Sequence, residues 1–545
     1  MGRELTVAIA QINCLVGDIN HNVEQIFSAM ESARSEGAHL LVCPELTLTG
    51  YPPEDLLHRP EFLQQVADGL HTLQRRTSGL ALLVGHPQLE KERLYNAASL
   101  INDGKITGTY YKHLLPNFSV FDEKRYFTAG HQPLTVSINN ISVGITICED
   151  IWQPEPTRAA VNAGAELIVN LNASPFHVGK QLEREAVVGI RARENRVPII
   201  YANMTGGQDE LVFDGASCVV DAQGTCVQRF PAFRSGLFTT AFSETDGLIR
   251  PIGGSLDDPL EKEASIYEAL VCGVRDYVDK NGFKGAILGL SGGVDSALTL
   301  AIAADALGAD RVEAVMMPSE FTAGMSRSDA NEQADMLGVG YREIPIRPMV
   351  ESIEAALEPV FNGGERDATE ENIQARIRGL LLMAISNKSG SIVLTTGNKS
   401  EMAVGYATLY GDMAGGFAAI KDVPKMMVYR LCDYRNRLGR VIPQRVLDRP
   451  PSAELRPDQL DQDSLPPYDI LDTIIELYVE QDYSIAQLIA ETGFDAETVK
   501  KIVRLVKLNE YKRRQAPPGV RISQRAFGRD RRYPITSGFR DTLAG

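Results

Sequence analysis

Short apolar runs alternate with amphipathic stretches along the first 240 residues. Residues 6–10, 40–43, 80–85, 142–147 and 167–170 are rich in Val, Ile, Leu and Ala and have the length of strands. Residues 22–36 instead place apolar side chains at helical spacing. Further strand-like runs at 197–203, 215–220 and 226–230 continue the rhythm. The pattern predicts a layered α/β domain over 1–240. It breaks at 241–261, where Arg250-Pro251, Gly253-Gly254 and Asp257-Asp258-Pro259 predict a linker.

Beyond it the period changes in a regular order. Helix 262–280, strand 285–290, helix 297–307, strand 311–316, helix 324–338 and strands 342–346 and 391–396 are expected within a second domain over 262–545. This alternation predicts a doubly wound parallel sheet, with a ligand outside the carboxyl ends of its strands. The proline-rich stretch 449–467 has little periodicity and reads as a loop or lid. No internal repeat is visible.

Composition narrows the function. A chain of 545 residues exceeds a single core, and 44% hydrophobic with 23% charged residues is globular. A net charge of -16 argues against nucleic acid as a partner, because phosphate neutralisation needs a basic surface. The tail runs against this balance: from Arg504 to Arg540 eleven Lys or Arg face two acids, Glu510 and Asp530. Two readings stand, a patch for a phosphorylated ligand or a solvated arm. Seven cysteines without a Cys-x-x-Cys motif predict neither a disulfide framework nor zinc, and so a reducing compartment. The absence of a signal-peptide pattern and of any bilayer-length apolar run predicts a cytoplasmic protein without a membrane partner. All eight histidines lie at or before His177, so chemistry in the second half is expected to proceed without one.

Between strand 285–290 and helix 297–307 stands Ser291-Gly292-Gly293-Val294-Asp295-Ser296. The glycines let backbone N–H groups turn toward an anion, Ser291 and Ser296 add hydroxyl donors, and the following helix offers its positive end. These features predict a pyrophosphate cradle; the plainer alternative is a tight turn. A Walker loop carries Lys before its Ser or Thr. Here Asp295 stands instead, suited to Mg²⁺, which suggests chemistry at the α-phosphate with release of pyrophosphate. The segment resembles the N-type ATP pyrophosphatases, which implies an adenine nucleotide α-hydrolase-like, Rossmann-like sheet.

In the first half, Cys43-Pro44-Glu45-Leu46, Tyr111-Lys112-His113-Leu114-Leu115-Pro116 and Ile145-Thr146-Ile147-Cys148-Glu149-Asp150 follow one another in an order that resembles the nitrilase superfamily of carbon–nitrogen hydrolases. The resemblance covers roughly residues 5–240 and implies an α-β-β-α sandwich. It further implies Cys148 as nucleophile, Glu45 as general base, Lys112 as stabiliser of the oxyanion and Glu123 as support for the lysine. A thiol of ordinary pKa about 8.5 needs a base or a cation to become thiolate, and Glu45 and Lys112 answer those needs. Attack on a carboxamide then gives a thioester and ammonia, and Glu45 activates the hydrolytic water. The Glu149 N–H is available to the oxyanion. Taken singly, each residue has a plainer reading: packing for Cys148, solvated charges for the others. Trp152 reads equally as pocket wall or core.

Both halves together resemble the glutamine-dependent NAD synthetase family. The motifs are the Ser291 hexapeptide, residues 371–378, Thr395-Thr396-Gly397-Asn398-Lys399-Ser400-Glu401, Tyr410-Gly411-Asp412 and Lys512-Arg513-Arg514. The resemblance implies glutamine contacts from Phe118, Ser174 and Lys180, the first and last replacing Tyr and Arg of other members. It implies ATP contacts from Gly289, Leu290, Ser291, Gly292, Gly293, Val294, Asp295, Ser296 and Thr396. Contacts to deamido-NAD follow for Asn372, Glu401 and Lys512, with Asp295 and Glu401 as Mg²⁺ ligands. The implied reaction activates the nicotinate carboxylate as its AMP ester, which ammonia then displaces to give NAD. Free ammonia would become ammonium in water, so a protected passage between the sites and a homo-oligomer of at least two chains are expected. Plainer readings stay open: Glu401 as a helix cap, Lys512 as a solvated lysine. A GMP synthetase-like amidotransferase and a binding protein without chemistry are the competing classes.

Overall fold

Leu5, Val7 and Ile9 alternate with Ala8 and Ala10, and this period of two decides how the first half layers. A computed structural model describes residues 3–457 and 459–539; Arg540 of the basic tail lies outside them. The chain divides into two compact units between Glu261 and Lys262.

In the first unit, strands β1 (Glu4–Gln11), β2 (Leu40–Val42), β3 (Ala81–Glu90), β4 (Arg93–Asn102) and β5 (Lys105–Tyr111) lie in that order in one sheet. A hairpin of Gly236–Thr245 and Leu248–Ile252 extends the sheet beside β1. The second sheet runs β6 (Leu134–Ile138), β7 (Ile141–Ile147), β8 (Leu167–Asn172), β9 (Ile199–Asn203), then Cys218–Val220 and Cys226–Arg229. Leu5, Val7 and Ile9 meet Val143, Ile145, Leu167 and Val169 between the sheets. Each fully buried aliphatic side chain is worth about 1.5–3 kcal/mol, so a one-residue slip of β1 would forfeit several such terms at once. Ala8, Ala10, Leu41 and Leu82 face outward to helices α1 (Ile19–Ser35) and α2 (Pro60–Arg76). On the other side Ile168 and Ile199 meet α3 (Pro154–Asn162) and α4 (Lys180–Asn195). This is an α-β-β-α sandwich.

The structure differs from the expected linker at residues 241–252, which form the end of Gly236–Thr245 and its partner strand. The Gly and Pro dipeptides that marked a break fall at 250–259, and Phe242 and Ile249 upstream of most of them join the inter-sheet core.

The second unit holds five parallel strands in the order Gly340–Glu343, Val312–Met316, Ala286–Gly289, Ile392–Thr395, Phe417–Ala418. Ala286, Ile287 and Leu288 are buried, as a strand covered by helices on both faces requires. Helix α5 (Lys262–Lys280) precedes the first of these strands, and α6 (Val294–Leu307), α7 (Gly324–Leu337), α8 (Arg347–Phe361) and α9 (Ala368–Ser389) lie in the crossovers between them. Strand order reverses between Ala286–Gly289 and Ile392–Thr395, so their carboxyl ends open a crevice. A short helix, α10 (Lys399–Val404), follows strand Ile392–Thr395, and α11 (Lys425–Leu438) follows strand Phe417–Ala418. Helices Tyr468–Ile475, Ile485–Thr492 and Ala496–Leu508, absent from the expected element list, pack Leu471, Leu488 and Ile502 against Ala403 and Val404 of α10.

The basic tail is not a solvated arm throughout, because part of it is built into the fold. Arg513 and Arg531 pair with Glu510, and Arg521 pairs with Asp530, all buried. Asp422 accepts the backbone N–H groups of Ile522 and Ser523. Among the described residues no helix is long and apolar enough to cross a membrane.

Candidate active sites

Strand β2 delivers the chain to Pro44-Glu45-Leu46, where Leu46 takes φ +45°. Gly85 makes room for this turn, since a Cβ there would lie 2.5 Å from the Leu46 nitrogen. The Glu45 side chain is fully buried. Its Oε1 accepts from Lys112 Nζ at 2.7 Å and Asn96 Nδ2 at 2.7 Å, and its Oε2 from the Ala173 N–H at 3.0 Å. Lys112, just past β5, also donates to Glu123 Oε1 at 2.8 Å, where the Tyr51 hydroxyl donates at 3.1 Å.

Cys148 follows β7 directly with φ +43°, a conformation that costs a non-glycine residue energy and that the surroundings must hold. Asp150 holds it. Its Oδ2 accepts from the Ile147 N–H at 3.0 Å and the Tyr110 hydroxyl at 2.8 Å, and its Oδ1 from the His113 and Leu114 N–H groups at 3.1 and 2.9 Å. The turn bearing the thiol is thereby tied to the segment bearing Lys112.

Burial and then the Glu45 charge push the Cys148 thiol well above its ordinary pKa, with Lys112 opposing. Burial therefore favours the protonated thiol over the thiolate, and the base that the thiol needs lies beside it in Glu45. Burial likewise raises the Glu123 carboxyl. Burial disfavours the Lys112 ammonium, yet its two glutamate partners outweigh that and hold it charged. A buried carboxylate beside a thiol can take its proton as attack occurs, and the adjacent ammonium can meet the oxyanion that forms.

Beyond β8, Ser174 is buried and built into a network. Arg184, itself fully buried, binds Asp214 through Nη1 at 2.7 and 2.8 Å and donates to the Ser174 carbonyl at 2.8 Å and hydroxyl at 3.2 Å. The Ser174 N–H donates to Asn203 Oδ1 at 3.0 Å. Lys180 Nζ lies 3.9 Å from the Trp152 ring centroid and 3.1 Å from Glu183 Oε2. Phe118 is 58% exposed and packs edge-on against Phe121.

In the second unit Gly292 has φ +78°, and a Cβ there would lie 2.4 Å from the Ser326 carbonyl oxygen. Gly293 caps α6, whose N-terminus faces the crevice. The Ser296 hydroxyl differs from expectation. It donates to the Gly293 carbonyl at 3.0 Å and accepts from the Ser291 N–H at 3.2 Å, so it shapes the loop from inside.

Asp295 and Glu401 come together through a residue that sequence reasoning missed. Lys425 Nζ donates to Asp295 Oδ2 at 2.5 Å and Glu401 Oε1 at 3.3 Å, and Asn398 Nδ2 donates to Asp295 Oδ1 at 2.8 Å. Glu401 also completes a capping box on α10 with Asn398, so its cap reading and its pocket position hold together. Burial raises the Glu401 carboxyl, against the opposing pull of Lys425. No group of three or more His, Cys, Asp or Glu suited to a metal occurs among the described residues. Lys512 is not a free surface lysine, since Nζ donates to the Gly405 and Ala407 carbonyls at 2.8 and 2.9 Å. Asn372 accepts from Thr408 Oγ1 at 2.8 Å.

Two cavities meet here. One, of about 170 Å³, is lined by Gly289, Leu290, Val315, Met317, Leu382 and Leu394; the other, of about 270 Å³, contains Asp295, Glu401 and Lys425. Ser291, Thr396 and Asp412 line both. The proline-rich stretch covers them. Arg449 donates to the Gly292 carbonyl and to Ser326 Oγ, and Glu454 accepts from Ser326 Oγ at 2.6 Å. Asn96, Asp150, Arg184 with Asp214, Lys425 and the Arg449–Glu454 pair were not foreseen as site residues. Only Asp150 had a signal, its place in Cys-Glu-Asp.

The carbon-nitrogen hydrolase family model matches residues 6–246 and the NAD synthase model residues 266–516. The chain is 48% identical to the glutamine-dependent NAD(+) synthetase of Acinetobacter baylyi over 99% of both chains. It is 45% identical to that of Thermotoga maritima over 99% of this chain and 100% of the relative. The solved structure of the Acinetobacter baumannii glutamine-dependent NAD+ synthetase in complex with ADP superposes with a TM-score of 0.80 at 43% identity, covering 99% of this chain and 100% of that one. With full-length identity at this level and both sites assembled, the chain belongs to the glutamine-dependent NAD(+) synthetase family.

Proposed function

We propose that this protein converts deamido-NAD to NAD, using ATP to adenylate the nicotinate carboxylate and ammonia released from L-glutamine to displace AMP. The observation that carries the reading is the presence, on one chain matching its relatives end to end, of a buried thiol–carboxylate–ammonium site and a glycine-rich anion loop.

In the first site Cys148 attacks the carboxamide carbon while Glu45 accepts the thiol proton. Lys112 meets the developing oxyanion, and Glu45 returns the proton to the departing ammonia. Water, activated by Glu45, then releases glutamate. Lys180 and Ser174 hold the glutamine backbone groups, with Phe118 covering them. Asp150 is a positioning residue, fixing Cys148 and Lys112 together.

In the second site the Ser291–Asp295 loop and the α6 N-terminus hold the phosphates, while Leu290, Met317 and Leu382 form an apolar slot for adenine. Thr396 completes the nucleotide contacts, and Asn372, Glu401 and Lys512 hold deamido-NAD. Two carboxylates, Asp295 and Glu401, form a hard oxygen donor set that fits Mg²⁺ shared with substrate phosphates. When bound, Mg²⁺ offsets phosphate charge and favours pyrophosphate departure. Lys425 holds the two carboxylates in register and adds a cation beside the phosphates.

Ammonia must reach the adenylate unprotonated, which favours a protected passage. A homo-oligomer of at least two chains in the cytoplasm completes this reading. Incubation with deamido-NAD, ATP, Mg²⁺ and glutamine should yield NAD, AMP, pyrophosphate and glutamate in equal amounts. NAD-free hydrolysis of glutamine, or amidation of xanthylate in its place, would overturn the assignment.

A further inference from the structure

Where the two cavities of the second unit join, Arg378 and Arg449 are the two positively charged residues that line both among the described residues. Arg449 is committed to the Gly292 carbonyl, to Ser326 Oγ at 2.8 Å and to the Glu454 carboxylate at 3.7 Å. Arg378 is not. Its Nε donates to the Met317 carbonyl at 3.0 Å, which anchors the stem, and its terminal nitrogens have no hydrogen-bond partner among the described residues. Burial pushes its pKa down to about 10, with Glu454 the one opposing influence. Glu454 itself is already bound to Ser326 Oγ at 2.6 Å and to the Ala323 N–H at 3.3 Å. The guanidinium is half-buried and lines both cavities with its terminal nitrogens unpaired, which suits it to an anion that the ligand brings.

The position says which part of the ligand that is. The apolar slot of Val315, Met316, Met317, Leu382 and Leu394 suits a purine, whereas the other cavity gathers Asp295, Glu401 and Lys425 around the outer phosphates and metal. The group joining the two is the α-phosphoryl. We propose that Arg378 is a catalytic residue of adenylate formation, its guanidinium binding the non-bridging oxygens of the ATP α-phosphoryl group. This rests on the proposed function. In that step a carboxylate oxygen forms a bond to the α-phosphorus, and the bond from that phosphorus to the bridging oxygen breaks, its electron pair leaving with pyrophosphate. Arg378 transfers no proton. Its planar fork binds both oxygens before, during and after the displacement, and a lysine cannot reproduce that geometry.

The test uses the full chain with ammonium chloride as nitrogen source, so the thiol site takes no part. R378A should lose about 10²- to 10³-fold in kcat, the scale seen when a donor to a developing charge is removed. Methylguanidine should restore part of the rate to R378A but none to Asp295→Ala, and R378K should recover less than about a tenth of the R378A deficit. A binding arm measures α,β-methylene-ATP and adenosine by calorimetry. R378A should weaken the nucleotide at least about tenfold and leave adenosine unchanged, a ratio worth one factor of ten in Kd. Three results overturn the proposal: a kcat within about threefold of wild type, equal weakening of adenosine and nucleotide, or inactivity with a collapsed thermal midpoint and no rescue by methylguanidine. If the wild-type protein makes no NAD from ammonium, the proposed function fails instead, and the two binding measurements still decide whether Arg378 meets the phosphate.

Discussion

Around Cys148 the buried charges find their partners within the protein: Lys112 lies between Glu45 and Glu123, and Asp150 accepts four hydrogen bonds. Around the Ser291 loop the balance is left open, with Arg378 short of an anion and Lys425 bridging two carboxylates that a metal would otherwise share. The difference follows from what each site receives. A neutral carboxamide brings no charge, so a hydrolytic site must carry its own balanced set. A triphosphate brings several negative charges and a cation, so its site is completed by the ligand. One consequence is that the first site should tolerate loss of its ligand with little change in stability, while nucleotide should stabilise the second unit strongly.

The sharpest way to break this contrast is to disable each site in turn. Cys148→Ala should abolish glutamine-fed NAD formation while ammonium-fed formation continues, and Asp295→Ala should lose both. Equal loss from Cys148→Ala with either nitrogen source would show that the sites are not separable. Glu45→Gln comes next, with glutamine hydrolysis reduced about 10²- to 10⁴-fold, the usual cost of removing a general base. Because Glu45 also anchors Lys112, Asn96 and the Ala173 N–H, steady-state rates need a melting curve beside them.

A smaller effect probes how rigidly the amide site is built. Asp214→Asn leaves the Arg184 charge buried and half-paired, a change of about 3–5 kcal/mol in stability where a buried pair is broken outright. Since Arg184 carries the Ser174 carbonyl and hydroxyl, KM for glutamine should rise with kcat for the ammonium-fed reaction unaltered. A rise in KM for ATP instead would remove Arg184 from the glutamine subsite.

The mildest test concerns pH. His86 is buried between Ser99 Oγ at 2.8 Å and the Pro87 carbonyl at 3.1 Å, and burial pushes its pKa down to about 4. Between that value and the ordinary 6.5 the unfolded chain binds a proton that the folded one refuses. The His86 contribution is therefore complete above about pH 6.5 and lost as pH falls through about 4, roughly 3 kcal/mol in all. Denaturation midpoints of His86→Gln should fall less steeply than wild type across that window, and parallel slopes would rule the histidine out.

Much of this organisation was legible beforehand, for local reasons. The period-two runs of β1, β7 and β8 and the continuous apolar strand at 286–288 expose their class because burial on one face or two writes a pattern into neighbouring residues. Glu45, Lys112, Cys148 and the Ser291 hexapeptide stood in recognisable motifs. The hairpin at 236–252 was misread because Gly and Pro dipeptides near its end outweighed Phe242 and Ile249. The pairing within the tail was not legible, because counting charges says nothing of their partners; Arg513, Arg521 and Arg531 each lie against a carboxylate.

By itself the chain determined the type of most of its strands and helices and the motifs that carry its candidate chemistry, because these depend on periods of two or 3.6 and on side-chain types at short spacing. Tertiary structure alone decided the upward push that burial gives the Cys148 thiol, the hydrogen bonds of the Ser296 hydroxyl within its loop, the bridge that Lys425 makes and the uncommitted fork of Arg378. Such properties depend on burial and on partners dozens of residues away: Lys425 reaches Asp295 across a sequence separation of 130. No window of neighbouring residues contains that information, since desolvation and pairing exist only once distant segments exclude water together.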